Sequence, residues 1–207
     1  MAEKFYVNTV GAVSPSKLAE ALDLGKVLAD ESKAAGSVRA GIGTIMMGTN
    51  AGSVVFQQFF ESLDDFANVM DAFANSNTYA KIMGTGLKVT NRNVAKFCDI
   101  PFTAPESPVR KYVVFTRGSS HVSQPDLTDM IAEAAPIFAG GGAQTFRLAR
   151  IMTGNNAGDF LLGVSYPSMA SIETTYDAIG TSPVAAKIYD ALDVNLRSII
   201  KLSAAAT

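Results

Sequence analysis

The octapeptide IMMGTNAG at Ile45–Gly52 returns as IMTGNNAG at Ile151–Gly158, with six of eight positions identical at an offset of 106 residues. The same offset places Ser62 on Ser168. Toward the two ends of each copy the offset drifts to 107 and to 105, as short insertions and deletions in loops produce. Because the matches keep their order, the 207-residue chain is a tandem duplication.

Each copy has the pattern of strand, helix, strand, strand, helix and strand. Segments rich in β-branched and aromatic residues, such as Phe5–Val10, predict strands, and apolar residues at helical spacing after Ser62 predict a helix. The two octapeptides predict hairpins, because Asn and Gly tolerate positive φ. A βαββαβ unit is the ferredoxin-like arrangement, an α+β fold with both helices on one face of the sheet.

The other face of each predicted sheet is too apolar and glycine-rich to be solvated. We therefore expect the two ferredoxin-like repeats to bury these faces against each other and to close into a barrel within one chain. Residues 1–97 form the first repeat and 111–207 the second. Residues 98–110 hold three of the eight prolines and predict an irregular, semi-rigid linker.

The repeat unit resembles the dimeric α/β-barrel superfamily, which includes the antibiotic-biosynthesis monooxygenases and the NIPSNAP-like proteins. The resemblance is carried by the second helix and the break that follows it, at residues 74–82 and 180–188. It covers nearly the whole chain, 4–97 and 111–202. It implies the barrel fold and, in enzymatic members, oxygenase or isomerase chemistry without a cofactor on a substrate held in an apolar pocket.

The composition excludes several classes of function. A net charge of −2 with scattered Lys and Arg argues against binding to nucleic acid or to an anionic membrane. The chain has one cysteine, Cys98, and one histidine, so we expect neither a disulfide nor a zinc site. We expect no cofactor. No signal peptide or membrane span is visible, and a cytoplasmic protein that forms homo-oligomers is expected.

Alternation along the predicted strands indicates which residues point into the barrel. Gly41, Gly43 and Gly163 are expected to leave space there. The structural alternative is that the arginines lie at strand ends and reach solvent, as long charged side chains usually do. The polar and aromatic residues expected inside, and proposed to bind a small apolar ligand, are Tyr6, Asn8, Arg39, Gln57 and Arg147, with Phe115 beside them.

His121 follows the first strand of the second copy, in the sequence RGSSH. Imidazole titrates near neutral pH, so His121 is a candidate general base at one mouth of the barrel. The alternative is a surface-loop histidine near the start of a helix. The first copy has no histidine at the corresponding place.

Two functions fit these patterns, and the sequence leaves open whether the protein is an enzyme. The first is a small-molecule-binding barrel, in its catalytic form a cofactor-independent oxygenase or isomerase that acts on a small apolar substrate. The second is a non-catalytic assembly protein that oligomerises through sheet edges and helices. The copies differ at polar interior positions, which favours the first.

Overall fold

The structure is a computed structural model that describes residues 3–205. Each repeat contributes four strands and three helices, and a short 3₁₀ turn precedes the first helix. The strands are β1 Phe5–Ala12, β2 Arg39–Met47, β3 Val54–Phe60, β4 Lys88–Phe97, β5 Tyr112–Ser120, β6 Thr145–Ile151, β7 Phe160–Tyr166 and β8 Leu192–Ala205. The helices are α1 Leu18–Ala34, α2 Leu63–Ala74, α3 Asn77–Gly84, α4 Gln124–Gly140, α5 Met169–Gly180 and α6 Pro183–Ala191.

Serine caps begin the equivalent helices of both repeats. Ser62 Oγ accepts a hydrogen bond from Asp65 N at 3.1 Å, and Asp65 Oδ2 accepts one from Ser62 N at 3.0 Å. This capping box satisfies two amide donors that the first helical turn leaves free. At the start of α5, Ser168 Oγ accepts from Ser171 N at 3.1 Å. The duplicated serine therefore marks the same structural boundary twice.

The eight strands form one closed antiparallel barrel in the order β1-β3-β2-β8-β5-β7-β6-β4. Within each repeat the order is 4-1-3-2, so two ferredoxin-like sheets meet edge to edge and the predicted fold is confirmed. The strand registers keep the repeat offsets as well. Phe5 faces Lys96 in the first repeat and Tyr112 faces Lys201 in the second, which are shifts of 107 and 105 residues.

Two seams join the repeats, and they differ in length. At one seam β2 pairs with β8 from Gly41 to Met47. At the other, β4 pairs with β6 through three residues, Ala95 to Phe97. Beyond Phe97 the chain leaves the sheet, and Cys98 N donates to Leu148 O at 2.9 Å. On its β4 side the beginning of β6 has no neighbouring strand, and a groove lies there.

Three apolar cores hold the molecule together. One lies between sheet and helices in each repeat, centred on residues such as Val7 and Val69 in the first and Leu127 and Tyr166 in the second. The third fills the middle of the barrel. The linker, without helix or strand, runs along the second repeat, where the Phe102 ring lies 5.8 Å from the ring of Phe146.

No helix within residues 3–205 is both long and apolar enough to span a bilayer.

Candidate functional site

The barrel interior holds two small cavities separated by packed side chains. Tyr6, Phe115 and Leu161 line both cavities and form the partition between them. We call one side the arginine end, after Arg39, Arg110 and Arg147, and its cavity measures about 60 Å³. We call the other the asparagine end, and its cavity measures about 90 Å³. The asparagine end is named after Asn8, Asn50, Asn91 and Asn93.

The walls of the arginine-end cavity are aromatic and apolar. Phe59 and Phe97, from β3 and β4, stack with their ring centroids 6.1 Å apart and their planes 8° from parallel. The Tyr6 ring lies 5.1 Å from Phe59. The Arg39 guanidinium lies 3.9 Å above the Phe59 ring, and that of Arg147 lies 5.1 Å from the Phe97 ring. Cation–π contacts of this kind hold both guanidinium groups against the aromatic wall.

A single carboxylate joins the two inward-facing arginines. Glu3 Oε2 lies 2.6 Å from a terminal nitrogen of Arg147, and Glu3 Oε1 lies 3.2 Å from Arg39 Nε. The Glu3 side chain is 12% exposed. Arg110 lies near enough to act electrostatically on the same cluster. Two guanidinium groups thus share one carboxylate with a third nearby, and the cluster has an excess of two positive charges.

Burial shifts the pKa values of the ionisable groups around this cavity. Loss of hydration lowers the pKa of Arg39 to about 10, with the positive charges of Arg110 and Arg147 adding to the effect and Glu3 opposing it. Burial likewise lowers the pKa of Arg110. Burial raises the pKa of Tyr6 well above its usual value, although Arg39 offsets part of the shift. At neutral pH the cavity therefore presents guanidinium cations and a neutral phenol.

Several buried donors at this end have no acceptor. Gln57 is 6% exposed, and its Nε2 makes no hydrogen bond of normal geometry within residues 3–205. The Gln57 amide lies close enough to Tyr6 to lower the pKa of the phenol slightly, without a bond of normal geometry. The Nε atoms of Arg39 and Arg110 are also unsatisfied, since Glu3 is not aligned with Arg39 Nε. Each buried, unpaired polar group costs about 1–3 kcal/mol.

A groove of about 490 Å³ borders the cavity at the short seam. Phe97, Thr145 and Arg147 line both spaces, and Glu3 lines the groove. The start of the linker, with Ile100 and Phe102, lines the groove together with Lys4, Lys96 and Phe146. The groove therefore lies directly beside the cavity, on the side of the Glu3 carboxylate.

At the asparagine end, by contrast, the inward arginine has three polar partners. Arg117 donates to Asn195 Oδ1 at 2.7 Å and to Asn156 Oδ1 at 2.8 Å. It also lies 3.5 Å from Asp159, which accepts from Asn195 Nδ2 at 3.0 Å. Asn8 lies on this side and accepts from the Tyr6 hydroxyl at 3.1 Å. This network ties the second hairpin to β5 and β8.

The structure brings four of the six predicted candidates together. Tyr6, Arg39, Gln57 and Arg147 line the arginine-end cavity, as Phe115 does. Asn8 lines the other cavity. His121 lies beyond the asparagine end of β5, where its Nε2 is 2.8 Å from Asp193 Oδ2 and its side chain is 56% exposed. His121 and the arginine cluster are therefore at opposite ends of the barrel.

The glycines expected to make room for a ligand have different roles. Gly41 and Gly163 line the arginine-end cavity, as expected. A Cβ on Gly43 would lie 2.4 Å from Lys201 O, so this glycine permits close approach of β8 at the long seam. A Cβ on Gly163 would lie 2.8 Å from the Phe115 ring, so Gly163 makes room for the partition. Two of the three are thus needed for packing.

Two members of the charge cluster, Glu3 and Arg110, were not predicted from the sequence. Both precede a strand, where alternation no longer indicates direction. A usable signal was nevertheless present. Lys4 matches Lys111 at an offset of 107, so Glu3 and Arg110 occupy the same position in the two repeats with opposite charges.

Solved structures with the same architecture have little sequence in common with this chain. A candidate monooxygenase from Fusobacterium nucleatum subsp. nucleatum is 11% identical, with a TM-score of 0.67 over 100% of this chain and 96% of that one. A mutant chlorite dismutase from Candidatus Nitrospira defluvii is 10% identical, with a TM-score of 0.66 over 99% and 93%. A haem-binding protein from Thermus thermophilus is 13% identical, with a TM-score of 0.62 over 98% and 92%. At these identities the likeness shows the fold alone.

The one histidine of this chain is not placed to hold a haem such as the last of these proteins binds. Haem iron takes an axial ligand such as His, Cys, Met or Tyr from inside a pocket. His121 is exposed and paired with Asp193. In the part of the chain that the structure describes, no cluster of three His, Cys, Asp or Glu side chains could hold a metal ion either.

The sequence itself identifies a family. No curated protein matches the chain. One family model, described as a domain of unknown function (DUF6854), matches residues 3–97 and again residues 110–202. The two matches correspond to the two halves of the barrel. This chain belongs to the DUF6854 family and carries two copies of its domain.

Proposed function

We propose that this protein binds a small, mainly apolar molecule between its two sheets, in the arginine-end cavity. The observation that carries the proposal is the buried Gln57 amide, whose Nε2 has no partner within residues 3–205 although it lines an aromatic cavity. A purely structural interior would satisfy or avoid such a group. Tyr6, Arg39 and Arg147 supply the other polar contacts, and Asn8 orients the Tyr6 hydroxyl.

The catalytic form of this proposal is a cofactor-independent oxygenase or isomerase, related to the antibiotic-biosynthesis monooxygenases and NIPSNAP-like proteins. Support comes from the positive field at the cavity, which would stabilise an enolate or phenolate formed from the substrate. The Tyr6 hydroxyl donates to Asn8 Oδ1, so Gln57 Nε2 would be the neutral donor to the same oxygen. His121, at the other end of the barrel, would serve as general base only for a ligand in the asparagine-end cavity.

The binding test uses small neutral probes. In an NMR titration with 1-butanol, we expect amide shifts at Tyr6, Gln57 and Val113, which border the arginine-end cavity, and none at Asn50. Arg39→Met keeps bulk and removes charge, and it should leave butanol binding within about twofold, because apolar walls dominate binding of a neutral molecule. Shifts spread evenly over the surface, or none at all, would refute the proposal.

The assembly alternative also remains open to test. Barrel closure gives each strand two hydrogen-bonded neighbours. Few strand edges are therefore free to pair with another copy, and the helices and hairpins are the better candidates for contact. Exposed methionines, namely Met46, Met47 and Met152, lie beside the two hairpins and could meet another copy. Light scattering of the protein as it leaves a size-exclusion column measures the mass of the particle in solution. A homo-oligomer that dissociates when Met47 is changed to Lys would favour this alternative.

A further inference from the structure

The donors left over at the arginine end indicate which kind of ligand the cavity suits. The buried, unsatisfied atoms there are Arg39 Nε, Gln57 Nε2 and Arg110 Nε. All three are N–H donors, and neither arginine nor an amide nitrogen can accept. A matching ligand must therefore bring acceptor oxygens. The excess of two positive charges further favours a ligand that is an anion.

Glu3 already occupies the anion position. Its carboxylate bridges Arg39 and Arg147, and it enters from the chain segment just before β1. The backbone is fixed from Lys4 onward, since Lys4 N donates to Phe60 O at 2.8 Å and Lys4 O accepts from Phe97 N at 2.9 Å. Glu3 has the bordering groove beside it. A change at its own torsions can move the carboxylate into that groove without disturbing the barrel.

The walls determine the rest of the ligand. They present the rings of Phe59, Phe97 and Phe115, so an apolar body is favoured over a hydrated one. A volume of about 60 Å³ is below the roughly 150 Å³ of a cavity that binds benzene, so the ligand must be small and must use the space that the Glu3 carboxylate leaves. Guanidinium groups match the planar carboxylate with paired hydrogen bonds. Inorganic phosphate has no apolar part to fill this space.

From this geometry we infer that the ligand is a small apolar monocarboxylate, whose carboxylate takes the place of Glu3 between Arg39 and Arg147. The inference rests on the proposed function and adds the ligand class to it. Glu3 then acts as a built-in competitor that keeps the arginines paired when the cavity holds no acid. Ligand binding exchanges one carboxylate for another, and the displaced Glu3 lies in the groove.

The test compares an acid with its matched amide on the full chain. Isothermal titration with butyrate and butyramide, at constant ionic strength, should show butyrate binding at least about tenfold more tightly, as a charge-assisted pair requires. Glu3→Gln removes the competitor and should raise butyrate affinity about fivefold to tenfold. Glu61→Gln is the matched control, because Glu61 pairs with exposed Lys4, and it should leave both affinities unchanged.

The arginines provide the reverse test. Arg39→Met should remove most of the preference for butyrate while butyramide binding stays within about twofold. Arg150→Met is the control, because Arg150 lies on the same strand as Arg147 and its side chain is exposed. If Glu3→Gln fails to fold, the double variant Glu3→Gln/Arg110→Met lowers the unpaired positive charge and should show the same gain in butyrate affinity.

The outcomes separate this inference from the proposed function. Equal binding of butyrate and butyramide, or weaker butyrate binding after Glu3→Gln, would overturn the carboxylate inference and leave a neutral ligand site standing. Inorganic phosphate binding as tightly as butyrate would overturn it too. Binding of neither probe by any variant, together with a negative butanol titration, would remove the site altogether.

Discussion

The two ends of the barrel contain the same kind of inward-facing cation in opposite states. At the asparagine end, Arg117 is satisfied by Asn156, Asn195 and Asp159. At the arginine end, Arg39 and its neighbours have more donors than the protein supplies acceptors. A charged side chain whose partners are complete contributes to the architecture. We propose that a buried one short of partners is completed by a bound molecule.

The repeat explains how the ends became different. The duplication places Thr145 at the position of Arg39 and Gly163 at the position of Gln57. It places Arg147 at the position of Gly41. The polar groups of the arginine end therefore do not follow the internal symmetry, while the helix caps and hairpin glycines do.

The largest expected difference between the ends is in stability. Arg117→Met leaves Asp159 and Asn195 without their cation and should lower the free energy of unfolding by about 3 kcal/mol. Arg39→Met leaves Glu3 paired with Arg147 and should change it by less than about 1 kcal/mol. Urea unfolding followed by circular dichroism measures both. A loss of similar size for the two variants would contradict the comparison.

Removal of one buried amide at each end should have effects of opposite sign. Gln57→Leu removes a donor without a partner and should stabilise the protein by about 1–2 kcal/mol, while butyrate binding weakens. Asn8→Leu removes the acceptor of the Tyr6 hydroxyl and should destabilise by about 1 kcal/mol. Thermal unfolding scans of both variants test this. Destabilisation by Gln57→Leu would mean that the amide is already satisfied.

A smaller effect is expected from pH. Burial lowers the pKa of Arg39 to about 10, below its value in the unfolded chain, so the unfolded state binds more protons between these two pKa values. The contribution of Arg39 to stability is therefore unfavourable at pH 7 and is relieved as pH rises above about 10.

The measurement is the difference in unfolding free energy between Arg39→Met and the unchanged protein. Between about pH 8 and about pH 10.5 it should move by about 1 kcal/mol in favour of the unchanged protein. Tyr6 is present in both proteins, so its ionisation contributes almost equally to each and largely cancels in the difference. An Arg117→Met comparison is the control. A difference independent of pH would show that Arg39 is not desolvated as described.

Most of the fold could be predicted because the sequence contains the same folding unit twice. The octapeptides at 45–52 and 151–158 form equivalent hairpins. Strand alternation correctly predicted that Tyr6, Gln57 and Arg147 point into the barrel. What could not be predicted was the pairing. Glu3 lies outside any strand, so no periodicity assigns it a direction, and only the closed barrel shows that it reaches two arginines from β2 and β6.

The partition inside the barrel could not be predicted from the sequence either. Alternation places Asn8 and Gln57 on the same interior surface, yet Tyr6 and Phe115 separate them into different cavities. That separation depends on which ring fills the space above Gly163, a three-dimensional packing outcome. The distance of His121 from the arginine cluster has a similar origin, since the length of β5 carries it to the opposite end.

The most direct test of the account is a crystal structure of the protein at high resolution after soaking with butyrate. The account predicts a carboxylate between Arg39 and Arg147, its alkyl chain against Phe59 and Phe97, and the Glu3 side chain moved into the groove. A structure in which Glu3 keeps both arginines and the cavity is filled by protein side chains, with Gln57 Nε2 bonded to one of them, would contradict it.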